Sequence, residues 1–452
     1  MRFLTVFLLA ALLLSVGSVQ AQILGKPALS RAEQLAPAGY TEHEFFIHGQ
    51  ASSYTKAGDW ESDGHWAASP SPTRTPYSTR LLMRRPSNPA KFNGMVVVEW
   101  LNMTLGSDID AGWSLTREEL IREGYIWVGV TLHGKGIAGL KKSDPKRYAH
   151  TRIDGDDFSF DLFSQAGHAV QRYIKQHLGR ADGGQLLALG YSQSAVYLST
   201  YINAIHPRAK VYEGYLLLGT APYAAPLVSG TLGKISPVIR ADLNVPVMQV
   251  QSEMEVTVSW PLSKTVDTDK VRYWEIAGAA HFDEHLSADT RQTNPPEFGS
   301  EPPSCIKPLN SLPSHVVDNA ALHALRTWVS QGISPPKVPR MQRNALGFIK
   351  HDDHGHSMGG VRLPEIEAPL VRYGIYSNFT TGSLASREVF SCVAGGSTTP
   401  LDPAQLRALY PLHQVYLRRF QAAADAAQAA GYLRPADHAN ALIRARAAKL
   451  PQ

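Results

Sequence analysis

The chain has 452 residues, a formal net charge of +5, 44% hydrophobic and 18% charged residues, and 30 prolines. This composition supplies a large apolar core and excludes a disordered or collagen-like chain. The positive charge is dispersed rather than gathered in a basic block, which argues against nucleic acid as a partner.

In chain order, Arg2, the apolar run 3–16 and Val19-Gln20-Ala21 have the layout of a secretion signal with cleavage after Ala21. The run is too short to span a bilayer, and no later segment is apolar for long enough to do so. The expectation is a secreted or periplasmic protein beginning at Gln22.

Residues 43–50 and 78–86 alternate polar with apolar side chains and predict two half-exposed strands. "GMVVVEWLN" (94–102) and "YIWVGVT" (125–131) are continuous apolar runs, as strands buried on both faces require. Between them, "SLTREELIRE" (114–123) reads as a helix capped by its serine. The acidic "DGDDF" (154–158) reads as a turn leading into a second helix over 160–179, which ends at Gly179. Further buried strands are predicted at 185–191, 214–220, 245–251 and 271–278, giving eight in all. Alternation of strand and helix predicts an α/β fold: a mostly parallel sheet flanked by helices, with a mixed edge from the first two strands. The connection 221–244 is too short for a large lid.

Beyond residue 285 the pattern changes. A helix with a glycine stop is expected at 315–332, then the proline-rich loop 335–339 and an irregular stretch over 341–400. The end is Ala-rich, with one helix expected over 404–431 and another over 436–450. The chain therefore divides into a signal peptide (1–21), an α/β core (22–300) and a mixed, largely helical C-terminal extension packed on it (301–452). Cys305 and Cys392 are the sole cysteines. In an exported chain such a pair reads as one disulfide, worth ~4 kcal/mol for so long a loop; two buried free thiols are the alternative. "HDDHGH" (351–356) invites a metal reading, but nothing in it fixes a ligand spacing, and no metal or cofactor is expected.

Gly190-Tyr191-Ser192-Gln193-Ser194 lies where a predicted strand meets a predicted helix, at 194–204. There a chain must turn sharply, and small residues at 190 and 194 permit the turn. A serine hydroxyl needs a base held by a third group. His281 follows the last predicted strand, and Glu253 and Glu255 follow the one before it. Any one of these alone reads as a turn serine, a satisfied histidine (the chain has 17) or a solvated acid. Their order of serine, acid and histidine, each at a strand's C-terminal end, points to a catalytic triad.

These elements, with "VVVEWLN", "GYSQSA", "QSEMEV", "WEIAGAAH" and "GGVRLP" (359–364), make the chain resemble an α/β-hydrolase, and more narrowly the secreted bacterial alpha/beta hydrolase domain family of serine esterases. One departure is Ser194 in place of glycine. In such hydrolases the acid stands two positions after a small residue that ends the strand. The resemblance therefore favours Glu255, after Ser252, over Glu253. It also implies an oxyanion hole built from the Gln193 amide and one from 101–103, with Asn102 the named candidate. Asn102-Met103-Thr104 matches a glycosylation sequon, but a sugar there would block the site. Trp100, Trp113, Tyr191, Tyr223 and Phe282 are candidate acyl-binding aromatics, and the long tail is a candidate pocket wall. The expected activity is hydrolysis of carboxylic esters, small or polymeric. Competing readings are acyl transfer to another alcohol, cleavage of an amide or polyester on the same triad, metal-dependent hydrolysis, and a binding protein that kept the fold but not the activity.

Overall fold

The structure, a computed structural model, describes residues 26–228, 238–259, 265–293, 304–377 and 387–450. The expected signal peptide and its cleavage point, and the middle of the 221–244 connection, lie outside these residues.

One sheet contains β1 (Tyr40–Ala57), β2 (Ala67–Pro86), β3 (Met95–Trp100), β4 (Ile126–Val130), β5 (Gln185–Tyr191), β6 (Gly214–Leu218), β7 (Val247–Ser252) and β8 (Val271–Ile276). Their order is β1-β2-β4-β3-β5-β6-β7-β8. β3 to β8 are parallel, and β1 and β2 form the antiparallel edge. The helices used below are α1 (Ala111–Arg122), α2 (Ser159–His177), α3 (Gln193–Thr200), α4 (Glu253–Ser259), α5 (Glu284–Arg291), α6 (His315–Gln331), α7 (Arg387–Ala394), α8 (Pro403–Leu409), α9 (His413–Ala429) and α10 (Pro435–Ala447).

The central strands are buried along their whole length because helices cover both faces of the sheet. On one face α2, α3 and the start of the β1–β2 ribbon enclose Val96, Val98, Phe160, Leu198 and Tyr215. On the other, α1 and α6 pack with Val97, Leu189 and Leu216. Leu363, Ala424 and Leu433 from the C-terminal region belong to that second core, so the tail completes it.

Three sequence expectations need correction. β1 and β2 run far beyond 43–50 and 78–86, pairing from Tyr40 with Pro86 to Ala57 with Ala67. Pro70, Pro72 and Pro76 obscured this extension. They are tolerated because β2 pairs with β4 only over Leu81–Arg84, leaving its earlier residues one free edge where a missing N–H costs nothing. α1 begins at Ala111, not at Ser114, whose hydroxyl instead hydrogen-bonds back to the Asp110 carbonyl at 3.1 Å. The first amides of α1, which have no partner within the helix, are satisfied from β3: the buried Glu99 carboxylate accepts from Gly112 N at 2.7 Å and Trp113 N at 2.8 Å. A Cβ at Gly112 would lie 2.8 Å from Glu99 Cδ, so this approach requires glycine. The single helix expected over 404–431 is two, α8 and α9, broken at Pro411, which cannot donate into a continuing helix.

The segment after Pro335 runs along the outer edge of β8. Pro335 and Pro336 carbonyls accept from Arg272 and Trp274 side chains, and Met341 N donates to the Glu275 carboxylate at 2.6 Å. Val361, in "GGVRLP", then pairs with β8 directly: its N–H donates to Glu275 O at 2.6 Å and its carbonyl accepts from Ala277 N at 3.0 Å.

Cys305 and Cys392 are joined in a disulfide 87 residues apart in sequence, fastening α7 to the segment before α6. Replacing both with serine is expected to lower stability by at most ~4 kcal/mol. Reductant should lower the denaturation midpoint of the wild type and leave that of the double variant unmoved. Equal midpoints for oxidised wild type and double variant would show that the bridge contributes nothing.

Candidate active site

β5 delivers the chain to a sharp turn at Ser192, whose φ is 56° and ψ −119°. This is one of three non-glycine residues with positive φ among the described residues. Such a conformation costs roughly 1–3 kcal/mol and persists only where its surroundings impose it. Here they do. Ser192 N donates to Leu218 O on β6 at 2.8 Å, and α3 begins at Gln193. A Cβ on Gly190 would lie 2.9 Å from Ala195 N, so α3 packs against bare backbone there. Ser194, in place of the expected glycine, is fully buried, and its hydroxyl accepts from Tyr191 N and donates to Tyr191 O, both at 2.9 Å. That side chain fastens the turn instead of crowding it.

Ser192 Oγ stands 2.9 Å from His281 Nε2, on the loop after β8. On the far side of the ring, His281 Nδ1 donates to Glu255 Oε1 at 2.6 Å. Glu255 lies in the first turn of α4, directly after β7, and its other oxygen accepts from Ser252 N at 2.9 Å. Burial pushes the Glu255 carboxyl up, but the charge and hydrogen bond of His281, with the bonds from Ser252, outweigh it and hold the group below its ordinary value. Tyr191 adds a clamp: its ring stacks on the imidazole with centroids 5.1 Å apart, and its hydroxyl donates to the His281 carbonyl.

The lowered carboxyl sets a pH dependence. Glu255 gives its full contribution to stability above the ordinary glutamate value of 4.5, and loses it as pH falls through the lower folded-state value. The stability gap between wild type and Glu255→Gln should thus be present at pH 5 and close as pH falls below about 4.5. Denaturant titration at these pH values reads it; a gap that widens on acidification would contradict the shift.

Glu253, the other candidate acid, does not meet His281. Its carboxylate accepts from Gly278 N at 2.7 Å and Ser357 Oγ at 2.6 Å, and contacts His351 Nε2 at 3.2 Å. It ties the β8 loop to "HDDHGH". There Asp352 accepts from His354 N and His356 N and pairs with Arg362, so the stretch is held as a hydrogen-bonded loop.

Of the 101–103 amides, two are used by the fold. Leu101 N donates to Val130 O, and Asn102 N donates to Ile109 O at 3.2 Å. Asn102 is therefore placed as a brace: its Nδ2 donates to Tyr191 O at 2.9 Å and its Oδ1 accepts from Thr104 N at 2.8 Å. Met103 N donates to the side-chain oxygen of Gln193, Oε1, at 3.4 Å, the longest of the three bonds. Gln193 N opens α3, where helix amides lack internal partners.

A small cleft opens on Ser192 and His281. Its walls are mainly apolar, with Leu105 and Ile109 from the loop after β3, Leu286 from α5 and Phe390 from α7. Of the five candidate aromatics, Tyr191 and Phe282 line this cleft, whereas Trp100 and Trp113 are wholly buried in the cores and Tyr223 lies outside. Phe390 was not foreseen. Its signal, the hydrophobic face of a short helix ending near Cys392, has meaning only once the disulfide places that helix beside the cleft.

A family model described as "Alpha/beta hydrolase domain" matches residues 15–443. No curated protein matches the chain. Solved structures similar to it include esterase Est22, at 10% identity over 58% of this chain and 78% of Est22, with a TM-score of 0.34. Est1E from Butyrivibrio proteoclasticus, solved with ferulic acid bound, shares 13% identity over 49% of this chain and 94% of its own, with a TM-score of 0.29. An alpha-beta serine hydrolase homologue from Coxiella burnetii shares 12% identity over 46% of this chain and 85% of its own, with a TM-score of 0.27.

Proposed function

The chain belongs to the alpha/beta hydrolase domain family, and from that premise we propose that it is an exported serine hydrolase acting on carboxylic esters. One observation carries the reading: a serine in a strained turn, an imidazole 2.9 Å away and a carboxylate 2.6 Å beyond it are linked in series at the rim of the sheet.

In this mechanism His281 Nε2 takes the Ser192 proton as Oγ attacks the ester carbonyl. Glu255 holds the Nδ1–H and stabilises the imidazolium that forms. The oxyanion is met by the amides of Gln193 and Met103, chosen here over Asn102 because the Asn102 amide already donates to Ile109 O. His281 then protonates the departing alcohol, and water, activated by the same imidazole, releases the acid from the acyl-enzyme. The apolar walls of Leu105, Ile109, Leu286 and Phe390 suit an apolar or aromatic acyl group. The disulfide fits an oxidising compartment.

A fluorophosphonate probe tests the reading: one label per chain is expected, on the peptide bearing Ser192. p-Nitrophenyl esters of graded chain length, beside sugar acetates and aryl esters, should then show which acyl group the cleft accepts. A folded chain that takes no label would instead be a binding protein on a hydrolase fold.

A further inference from the structure

We propose that Glu118, His285 and His315 form a site for one divalent metal ion of the zinc class, which ties together three helices beside the cleft. Glu118 comes from α1, His285 from α5 and His315 from the first position of α6, and one ligand atom from each lies within 4.8 Å of the others. Nothing in the proposed hydrolysis uses these residues.

The hydrogen bonds leave this trio with lone pairs and no partners. His285 Nε2 donates to the Ser114 carbonyl at 3.0 Å, so its proton is committed there and Nδ1 keeps a free lone pair. A ligating histidine is commonly held in its tautomer by such a bond. His315 Nδ1 is buried and unpartnered, as is Glu118 Oε2, while the other Glu118 oxygen accepts from Arg117 Nε at 3.0 Å. Buried polar atoms without partners are rare, and here two of them meet in one cluster. The histidine rings lie face to face, with centroids 3.8 Å apart.

The nearby guanidiniums are themselves paired, Arg117 with Glu118 and Asp289 and Arg444 with Glu365. Two imidazoles and one carboxylate suit zinc, with water in the fourth position. Bonds of ~2.0–2.1 Å in a tetrahedron set ligand atoms ~3.3 Å apart, so on binding side-chain rotation must draw the three groups in and turn the stacked rings out of parallel. His285 adjoins Leu286, which lines the cleft with Thr290 from the same helix. An ion here therefore fixes a cleft wall.

The test uses the full chain, stripped with chelator and titrated with zinc chloride in a calorimeter, with bound metal counted by mass spectrometry. One zinc per chain is expected, with a raised melting temperature. Cobalt in its place should show tetrahedral ligand-field bands. His285→Asn and Glu118→Gln should each weaken zinc binding by at least about tenfold and abolish the bands. Because the His315 ring is buried, a variant there risks misfolding, and the half-buried Glu118 keeps the test decisive. No bound zinc, or equal binding by wild type and both variants through others among the 17 histidines, would overturn the site.

Discussion

Ser192→Ala should lower kcat for any ester substrate by on the order of 10⁶-fold, leaving the residual rate that binding and the oxyanion donors alone sustain. The loss is expected to fall on kcat and not on KM, because the hydroxyl forms a bond to substrate rather than a wall of the cleft. A second variant separates chemistry from folding. Ser192→Gly should be equally inactive yet unfold at an equal or higher denaturant concentration. Glycine adopts φ 56° without strain, and relief of roughly 1–3 kcal/mol exceeds the cost of about 0.5–1 kcal/mol from its greater unfolded freedom. A glycine variant less stable than wild type would mean that the turn stores no strain, and an alanine variant with near-normal turnover would remove Ser192 from the chemistry.

Glu255→Gln and Glu253→Gln form the second decisive pair. The first removes the charge that faces His281 Nδ1 at 2.6 Å, and kcat should fall by on the order of 10³–10⁴-fold, through loss of both the imidazole's tautomer and the stabilisation of its charged form. Glu253→Gln should change kcat by no more than a few-fold, because its oxygens face Gly278 N, Ser357 Oγ and His351, away from the imidazole. Its effect should appear instead as lost stability, since a buried acceptor of two short hydrogen bonds is altered. The reverse ranking of the two variants in kcat would exchange their roles.

How much of this was legible beforehand follows from the range of the forces involved. The eight strands and their mixed edge could be read because buried β runs such as "VVVEW" carry their environment in their own composition. Ser192 and His281 could be placed because each follows such a run immediately. Glu255 was favoured over Glu253 by its spacing from Ser252, yet two positions in the first turn of one short helix send their carboxylates to different partners, and only tertiary contacts separate them. The surroundings of the Asn102 amide were hidden for a similar reason: its bond to Ile109, seven residues on, leaves no trace in the local pattern. The extension of β1 and β2 was hidden by prolines that are costly inside a sheet and harmless in a two-stranded ribbon. The cleft wall at Phe390 depends on the disulfide and on packing between distant segments, which periodicity does not encode.

The strap along β8 has a consequence for self-association. A sheet's outermost strand offers unpaired amides and carbonyls that can recruit another molecule. On the β8 side Val361 pairs with the Glu275 carbonyl and the Ala277 amide, Asp267 takes the Tyr273 amide, and residues 335–341 cover the edge by bonding to the side chains of Arg272, Trp274 and Glu275; Pro335, Pro336 and Pro339 in that strap have no N–H to hand on to a further strand. Sheet-to-sheet growth of copies into a filament is blocked at that end. Any assembly that extends the sheet must begin from the opposite side, at β1.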